Sequence, residues 1–485
     1  MRVENRPLTD LRVGDRAEIV RVVSADDLYV FANVSGNHNP MHLPNEDGDG
    51  DGKVESVAPG MFLASLVSAV IGMRLPGPGT LYRGQTLEFH EPAMDGDELS
   101  TSVEVTDIDP SGIVTLLTEV RRLGDGALIL SGSARVAAPK RKRVFENLDL
   151  PGLVVQRHRH FEALLARARP LPALVTAVVA PEEVNALGGA VMAAREGIIE
   201  PILIGDRTRI LTAAAAGGLR IDNFRLVDVA THAEAALKAC QMVNAGAAAA
   251  VMKGHLHTDE LLRPMLDRVD GLRAGRRFTH VFVMDVPGID HPILVTDAAI
   301  NIAPDLEAKV DIVQNAIDLA RSIGISEPRV GVLSAVETVN PAIASSIDAA
   351  LLSKMAERGQ ITGGFVDGPL AMDNAVDLAA ARTKGLRSPV AGRAEVLVAP
   401  GIDAGNMLAK QFSYISHAEG AGVVLGAKVP VILNSRADSA MSRLASCAVA
   451  ALHHARTRDA QASPVARPEP AGSGGGQGTR TRSTT

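Results

Sequence analysis

The 485-residue sequence has no tryptophan, three tyrosines and ten phenylalanines, so aromatics make up only 3% of it. Stacking platforms for single-stranded nucleic acid need rings, and that class is disfavoured. The excess positive charge of a polyanion binder is missing too: 49 Lys and Arg stand against 56 Asp and Glu, a net charge of -7. Only two cysteines occur, Cys240 and Cys447, without metal-type spacing. That excludes a disulfide scaffold or zinc ribbon and points to a reducing cytoplasm. No run of about 18 apolar residues is free of charges and breaks, so no membrane span is expected. The N-terminus, MRVENRPLTDLRVGD, is charged where a secretory signal would be apolar.

What remains is globular in kind. Hydrophobic residues make up 46% and charged residues 22%, and the core must be aliphatic. The length predicts about two to four domains. A first segment, 1–138, reads as β-rich. Arg83–His90, Leu99–Thr106, Ile113–Arg121 and Ala127–Val136 have strand character and are separated by Gly- and Asp-rich turns. Gly60–Met73 is apolar all round and reads as a buried helix inside that sheet. Residues 139–160 form a basic linker (Lys140-Arg141-Lys142-Arg143, then Arg157-His158-Arg159-His160), expected to be solvated. From 161 to 456, strand-like runs alternate with helical segments. This predicts a mainly parallel sheet in two lobes with a cleft, the second lobe spanning about 290–428. Residues 457–485 are rich in Gly, Pro, Ser and Thr and read as a disordered tail. The fold class is therefore α+β followed by α/β.

Two constellations carry chemistry. The first is Tyr29–His42, YVFANVSGNHNPMH. A helix, Ala25–Val34, is expected to end at Gly36. Pro40 excludes a regular helix joining His38 to His42, so no two-histidine metal face is expected. Asn37 and His42 on one fixed loop can hold a water for addition to a double bond; a capped turn is the other reading.

Ser35, Gly36, Asn39, Pro40, Met41 and His42, with Gly60-Met61 and Leu75-Pro76-Gly77-Pro78-Gly79, resemble the hydratase motif of MaoC-like, (R)-specific enoyl-CoA hydratases over about residues 5–137. The resemblance implies a hot-dog fold, a dimer, and acyl-CoA at the dimer interface. Asn37 stands where the family has a catalytic Asp, and Pro59 where a His is common. An amide does not accept a proton at physiological pH, so the resemblance implies acyl-CoA binding with hydration compromised.

The second constellation lies in two strand-to-helix turns, which sit at the carboxyl edge of a parallel sheet. In Met252-Lys253-Gly254-His255-Leu256-His257-Thr258-Asp259, Thr258 or Asp259 would cap a helix, and Lys253 with Arg263 and helix amides could hold an anion. In Asn434-Ser435-Arg436-Ala437-Asp438-Ser439, Arg436 offers a fork suited to phosphate, Ser435 a hydroxyl and Asp438 a carboxylate. Helix capping by Asp438 or Ser439 is the structural alternative.

These turns, with Val295-Thr296-Asp297-Ala298-Ala299-Ile300-Asn301, Ser334–Pro341, Asp367–Ala375 and Pro400–Asn406, resemble the phosphate acetyl/butyryl transferase family over about residues 150–455. The order of the two halves resembles bacterial fusions of enoyl-CoA hydratase with phosphate acetyltransferase. The resemblance implies a two-lobed phosphotransacylase fold, similar to isocitrate dehydrogenases. It implies reversible acyl transfer (acetyl or butyryl) between acyl-CoA and inorganic phosphate, giving acyl phosphate and CoA. CoA would then be a substrate, with no cofactor and no metal, and a homo-oligomer is expected. Arg436 matches the phosphate-binding Arg, Ser435 its neighbour and Arg263 a second phosphate-site Arg; Lys253, Thr258 and Asn301 are the further substrate-binding candidates. Acetyl-type enzymes place a proposed base, an Asp, where Ser442 stands, and Asp438 is the carboxylate nearest in sequence. A non-catalytic acyl-CoA-binding or assembly protein is the competing reading, as is a bifunctional enzyme with active hydration. A metal-dependent decarboxylating dehydrogenase lacks the carboxylate cluster it would need.

Overall fold

The computed structural model describes residues 2–146, 153, 155, 158–435 and 438–462. The chain divides into two compact units between Val155 and Gln156.

The first unit contains β1 (Val3–Glu4), β2 (Arg16–Val22), α1 (Ala25–Ser35), α2 (Gly60–Met73), β3 (Leu81–Phe89), β4 (Glu98–Ile108), β5 (Ile113–Arg122), β6 (Leu128–Ala137) and β7 (Val144–Phe145). Ser24 caps α1: its Oγ accepts the Asp27 N–H while the Asp27 carboxylate accepts the Ser24 N–H. Gly36 stops α1 in the left-handed conformation, φ 72°, and donates its N–H to Ala32. Strands β2-β4-β5-β6-β3 form an antiparallel sheet in that order. Helix α2 lies against it and buries Phe62, Leu63, Leu66, Val67, Val70 and Ile71, a stripe repeating every three to four residues. The apolar run therefore located the central helix of a hot-dog fold, but the helix expected to be buried all round is buried on one face only, with Met61, Ser65, Ser68 and Ala69 exposed. Sequence periodicity missed β2, a strand of mixed, mostly exposed residues.

The segment expected as linker is partly structured. Strand β7 pairs antiparallel with β1. Buried Asn5 clamps the basic cluster, its Oδ1 accepting the Arg143 N–H at 2.7 Å and its Nδ2 donating to the Arg141 carbonyl at 3.2 Å. The side chains of Lys140–Arg143 remain exposed.

The second unit begins with α3 (Arg159–Ala168), β8 (Leu174–Val179), α4 (Val184–Arg195), β9 (Ile199–Gly205), α5 (Arg207–Ala216), β10 (Arg225–Asp228), α6 (His232–Asn244), β11 (Ala250–Lys253) and α7 (Thr258–Met265). It continues through β12 (Thr279–Asp285), β13 (Ile293–Thr296), α8 (Leu306–Ser322), β14 (Arg329–Leu333), α9 (Ala344–Glu357), β15 (Phe365–Leu370), α10 (Met372–Val376) and α11 (Leu378–Thr383). Its last elements are β16 (Val396–Val398), α12 (Ile402–Tyr414), β17 (Glu419–Leu425), β18 (Val431–Ile432) and α13 (Ala440–Ala462).

The eleven strands make one sheet in the order β10-β9-β8-β11-β18-β17-β12-β13-β16-β14-β15. The wing from β10 to β18 is parallel, as is the wing from β13 to β15. Between them β17 runs antiparallel to both β18 and β12, and β12 antiparallel to β13. The two parallel wings consequently point in opposite directions, and their carboxyl edges lie on opposite edges of the sheet. The core is aliphatic, with Leu203, Val281, Val283, Ile312 and Val449 almost wholly buried. Both cysteines are buried and unpaired; burial pushes the Cys240 thiol up to about 11, leaving it protonated and unreactive. Helix α13 runs past Arg456 to Ala462, so the expected tail begins too early; the rest of it, 463–485, lies outside the described residues. Among the described residues no helix is long and apolar enough to cross a membrane.

Candidate functional site

Strand pairing assembles the site. Parallel neighbours β11 and β18 align Met252 with Ile432, so Lys253 and the turn after Ile432 leave the sheet side by side. Lys253 is buried, and its Nζ donates to the Asn434 carbonyl at 3.4 Å. Strand β17 returns antiparallel, Val423 opposite Ile432, which carries Glu419 past the same turn.

Within the turn, the Asp438 carboxylate accepts the Ser435 N–H at 2.8 Å and the Asn434 amide at 3.1 Å. Ser439 caps α13 by accepting the Ser442 N–H at 3.0 Å. Arg443 is 2% exposed and donates to the Ser435 carbonyl at 2.8 Å, anchoring the turn from below. Burial lowers the pKa of its guanidinium, opposed by Asp438 and Glu183, although an arginine stays charged at neutral pH.

A cavity of about 260 Å³ opens at this edge. Ser435, Asp438, Ser439 and Ser442 line one side, Glu419 and Gly420 another, and Asn406, Lys410 and Tyr414 of α12 a third. Glu419 Oε2 accepts the Ser439 hydroxyl at 2.9 Å and the Ser442 hydroxyl at 2.5 Å. Lys410 Nζ stands 6.0 Å from the Tyr414 ring centre. The cavity thus offers hydroxyls, a lysine ammonium and two carboxylates to a polar ligand.

In the first unit, Pro40–His42 forms one turn of 3-10 helix with Pro40 at its first position, so no regular helix joins His38 to His42. Asn39 caps it, its Oδ1 accepting the Met41 N–H. His42 Nδ1 lies 2.9 Å from the Val57 carbonyl. A carbonyl only accepts, so this contact assigns the proton to Nδ1 and leaves the Nε2 lone pair available. The Asn37 carboxamide accepts the Asn39 N–H at 3.3 Å and is exposed. Beyond this turn, Asp47, Asp49, Asp51 and Glu55 bring one oxygen each within 4.8 Å of the others. Backbone donors from Gly52 and Gly50 hold the Asp47 carboxyl below its ordinary range. Sequence reading did not anticipate this cluster, although Asp47-Gly-Asp-Gly-Asp was visible.

The family described as Phosphate acetyl/butaryl transferase matches residues 230–451. A phosphate acetyltransferase of Rhizobium meliloti is 55% identical over 305 residues, which are 63% of this chain and 96% of that protein. A phosphate butyryltransferase of Clostridium beijerinckii is 39% identical over 300 residues, 62% of this chain and 99% of that protein. A crystal structure of a branched-chain phosphotransacylase from Enterococcus faecalis superposes with a TM-score of 0.52 at 30% identity, covering 58% of this chain and 99% of that one. The chain belongs to the phosphate acetyl/butyryl transferase family. Its first unit carries a MaoC like domain, matched over residues 12–120.

Among the residues singled out for this phosphate acyltransferase chemistry, Ser435 and Asp438 meet in the cavity, with Lys253 beneath them. Arg436 lies outside the described residues. Thr258 opens α7, but the cap is the preceding His257, whose N–H donates to Glu260 Oε2 at 3.2 Å; neither Thr258 nor Asp259 caps it. Arg263 is 81% exposed, pairs with Asp259 at 3.8 Å, and does not line the cavity. Asn301 follows β13, on the opposite edge of the sheet. There its amide donates to the Phe278 carbonyl and to Asp297, and it lines a separate cavity of about 620 Å³. Glu419 and Lys410 were missed. Neither sits in a motif-like stretch, and only the antiparallel register of β17 shows that Glu419 reaches the turn.

Proposed function

We infer that the second unit transfers short acyl groups reversibly between CoA and inorganic phosphate. The observation that carries this is the cavity at the end of β18, where the Ser435 turn, Glu419 and Lys410 converge in a chain of this family. In the acyl phosphate to acyl-CoA direction a thiol attacks a carbonyl. The tetrahedral intermediate carries an oxyanion that needs donors, and the phosphate needs a fixed cation. Ser435 supplies a hydroxyl donor to the thiol or oxyanion. Arg436 is assigned the phosphate on sequence grounds, and Lys253 steadies the turn through Asn434. CoA acts as substrate with no further cofactor, in a cytoplasmic homo-oligomer.

The test incubates the full chain with acetyl-CoA or butyryl-CoA and phosphate, without nicotinamide cofactor or divalent metal, and follows CoA release with a thiol reagent. Phosphate-dependent release is expected, with Ser435→Ala lowering kcat about 10²-fold. Absence of release with every acyl-CoA from acetyl to hexanoyl would leave the binding-protein reading instead.

A further inference from the structure

Resting on the acyl-transfer reading above, we propose that Glu419 is the acceptor of the CoA thiol proton, acting through Ser442.

Two carboxylates line the cavity, and they are held differently. Asp438 Oδ2 is bound by the Ser435 N–H and the Asn434 amide, so it is committed to the shape of the turn. Glu419 instead receives two hydroxyls that themselves face the cavity, Ser439 at 2.9 Å and Ser442 at 2.5 Å. A serine hydroxyl has one proton and two lone pairs. Ser442 donates its proton to Glu419, so towards the cavity it has only acceptor capacity. A thiol S–H is a donor that fits this, and the phosphoryl oxygens of an acyl phosphate, which carry no proton at neutral pH, are not. The hydroxyl therefore marks where the sulfur sits, and the carboxylate behind it is where the proton goes.

The placement follows from the fold. Glu419 begins β17, and the pairs Val423–Ile432 and Val424–Val431 fix it beside the turn that follows β18. Ser442 lies in the first turn of α13, just behind the Ser439 cap. A strand end and a helix start, each held by backbone pairing, set the contact.

The step balances. As sulfur attacks the carbonyl carbon of the acyl phosphate, the S–H proton passes to Ser442 Oγ and the Ser442 proton passes to Glu419. The C–S bond forms, the carbonyl carbon–oxygen bond to phosphate breaks, and phosphate leaves with the bonding pair. Glu419 then returns its proton to the departing phosphate through solvent. In the reverse direction hydrogen phosphate supplies that proton, which Glu419 and Ser442 deliver to the leaving thiolate. Ser442 touches the thiol; Glu419 works through it.

The experiment measures thiolysis of acetyl phosphate by CoA with the full chain, from pH 5.5 to 9. Glu419→Gln keeps an acceptor for the two hydroxyls and removes the proton acceptor. Its kcat is expected to fall about 10²-fold or more, with KM for acetyl phosphate within about threefold. Its rate should then climb with pH as free thiolate accumulates. Adding Ser442→Asp to Glu419→Gln restores a carboxylate across the same contact and should recover at least about tenfold. A Glu419→Gln rate within about threefold of the native rate overturns the proposal. So does a loss with an unchanged pH profile and no recovery by Ser442→Asp, since a packing role predicts that result. If Glu419→Gln does not fold, Ser442→Ala is read by the same kcat and pH criteria. Native transfer unaffected by these changes sinks only this proposal; no transfer by the native protein sinks the acyl-transfer reading and this proposal with it.

Discussion

Two adjacent glycines in α4 should respond to the same substitution with opposite signs. A Cβ on Gly188 would meet nothing nearer than Leu219 Cδ1 at 3.9 Å, an ordinary contact. A Cβ on Gly189 would lie 2.5 Å from Arg443 Cδ and 2.9 Å from Arg443 Cβ. Alanine in a helix interior gains about 1 kcal/mol over glycine, and Gly188→Ala should keep that gain. At Gly189 the gain is outweighed. Overpacking costs about 1–3 kcal/mol. The clash falls on the stem of Arg443, not its flexible end, so the guanidinium shifts and its bond to the Ser435 carbonyl is lost. A hydrogen bond to a charged group is worth about 1.5–3 kcal/mol, and the net is a destabilisation of about 3 kcal/mol. At about 2 °C per kcal/mol for a large domain, Gly188→Ala should raise Tm by about 2 °C and Gly189→Ala lower it by about 6 °C. Scanning calorimetry of the full chain reads both. Gly189→Ala should also slow acyl transfer about tenfold or more, because the Ser435 turn loses its anchor. Equal stability of the two variants would refute the claim that Gly189 exists to seat Arg443.

Arg436→Gln should cut acyl phosphate formation by about 10²–10³ with the circular dichroism unchanged, and Arg436→Lys should restore only part; a near-native KM for phosphate in Arg436→Gln would remove the residue from the mechanism. Burial depresses the His453 imidazole from 6.5 to about 4, beside the Ser322 hydroxyl at 3.1 Å. The unfolded chain takes up a proton first, so this residue's contribution is intact above about pH 6.5 and lost as pH falls toward 4. His453→Gln should reduce the acid loss of stability by about 2 kcal/mol in urea melts at pH 7.5 and 4.5, the partly exposed ring edge lowering the full linkage value; identical pH slopes in both proteins would count against it. Asn37→Asp should raise hydration of crotonyl-CoA by at least about tenfold by giving His42 an ionisable partner, measured as loss of enoyl absorbance; robust native hydration insensitive to His42→Ala would refute that site.

Local pattern was enough to mark elements and their ends. Gly60–Met73 buries Phe62, Leu63, Leu66, Val67, Val70 and Ile71 against the sheet while Met61, Ser65, Ser68 and Ala69 stay exposed, so its apolar run marked the helix but not which face is covered, and Gly36 ends α1 because the left-handed turn there strains any residue with a Cβ. The turn after Ile432 was legible because Asn, Ser, Arg and Asp crowd between an apolar strand and a helix. Glu419 was not, because its role comes from non-local pairing: it lies four positions before Val423, whose partner Ile432 carries the turn. Asn301 stands apart from the Ser435 cavity for the same reason: β13 runs opposite to β18 in the sheet, and the amide ties the loop after β13 to the chain entering β12. The cap of α7 at His257 was missed because a histidine ranks below Thr and Asp in capping preference, and the Glu260 carboxylate holds the turn instead.

The chain's shortage of rings leaves one more consequence at the mouth of the cavity. Tyr29 and Tyr82 belong to the first unit, so Tyr414 is the only tyrosine of the second, in a protein without tryptophan. It is 68% exposed, lines the cavity, and stands beside Lys410. Ultraviolet emission from a Tyr29→Phe, Tyr82→Phe protein therefore comes from a single fluorophore at the entrance to the site. Any ligand that displaces water from that ring or moves the lysine ammonium changes a signal with no background from elsewhere in the chain. The doubly substituted protein carries its own optical reporter of occupancy, with no dye and no added label.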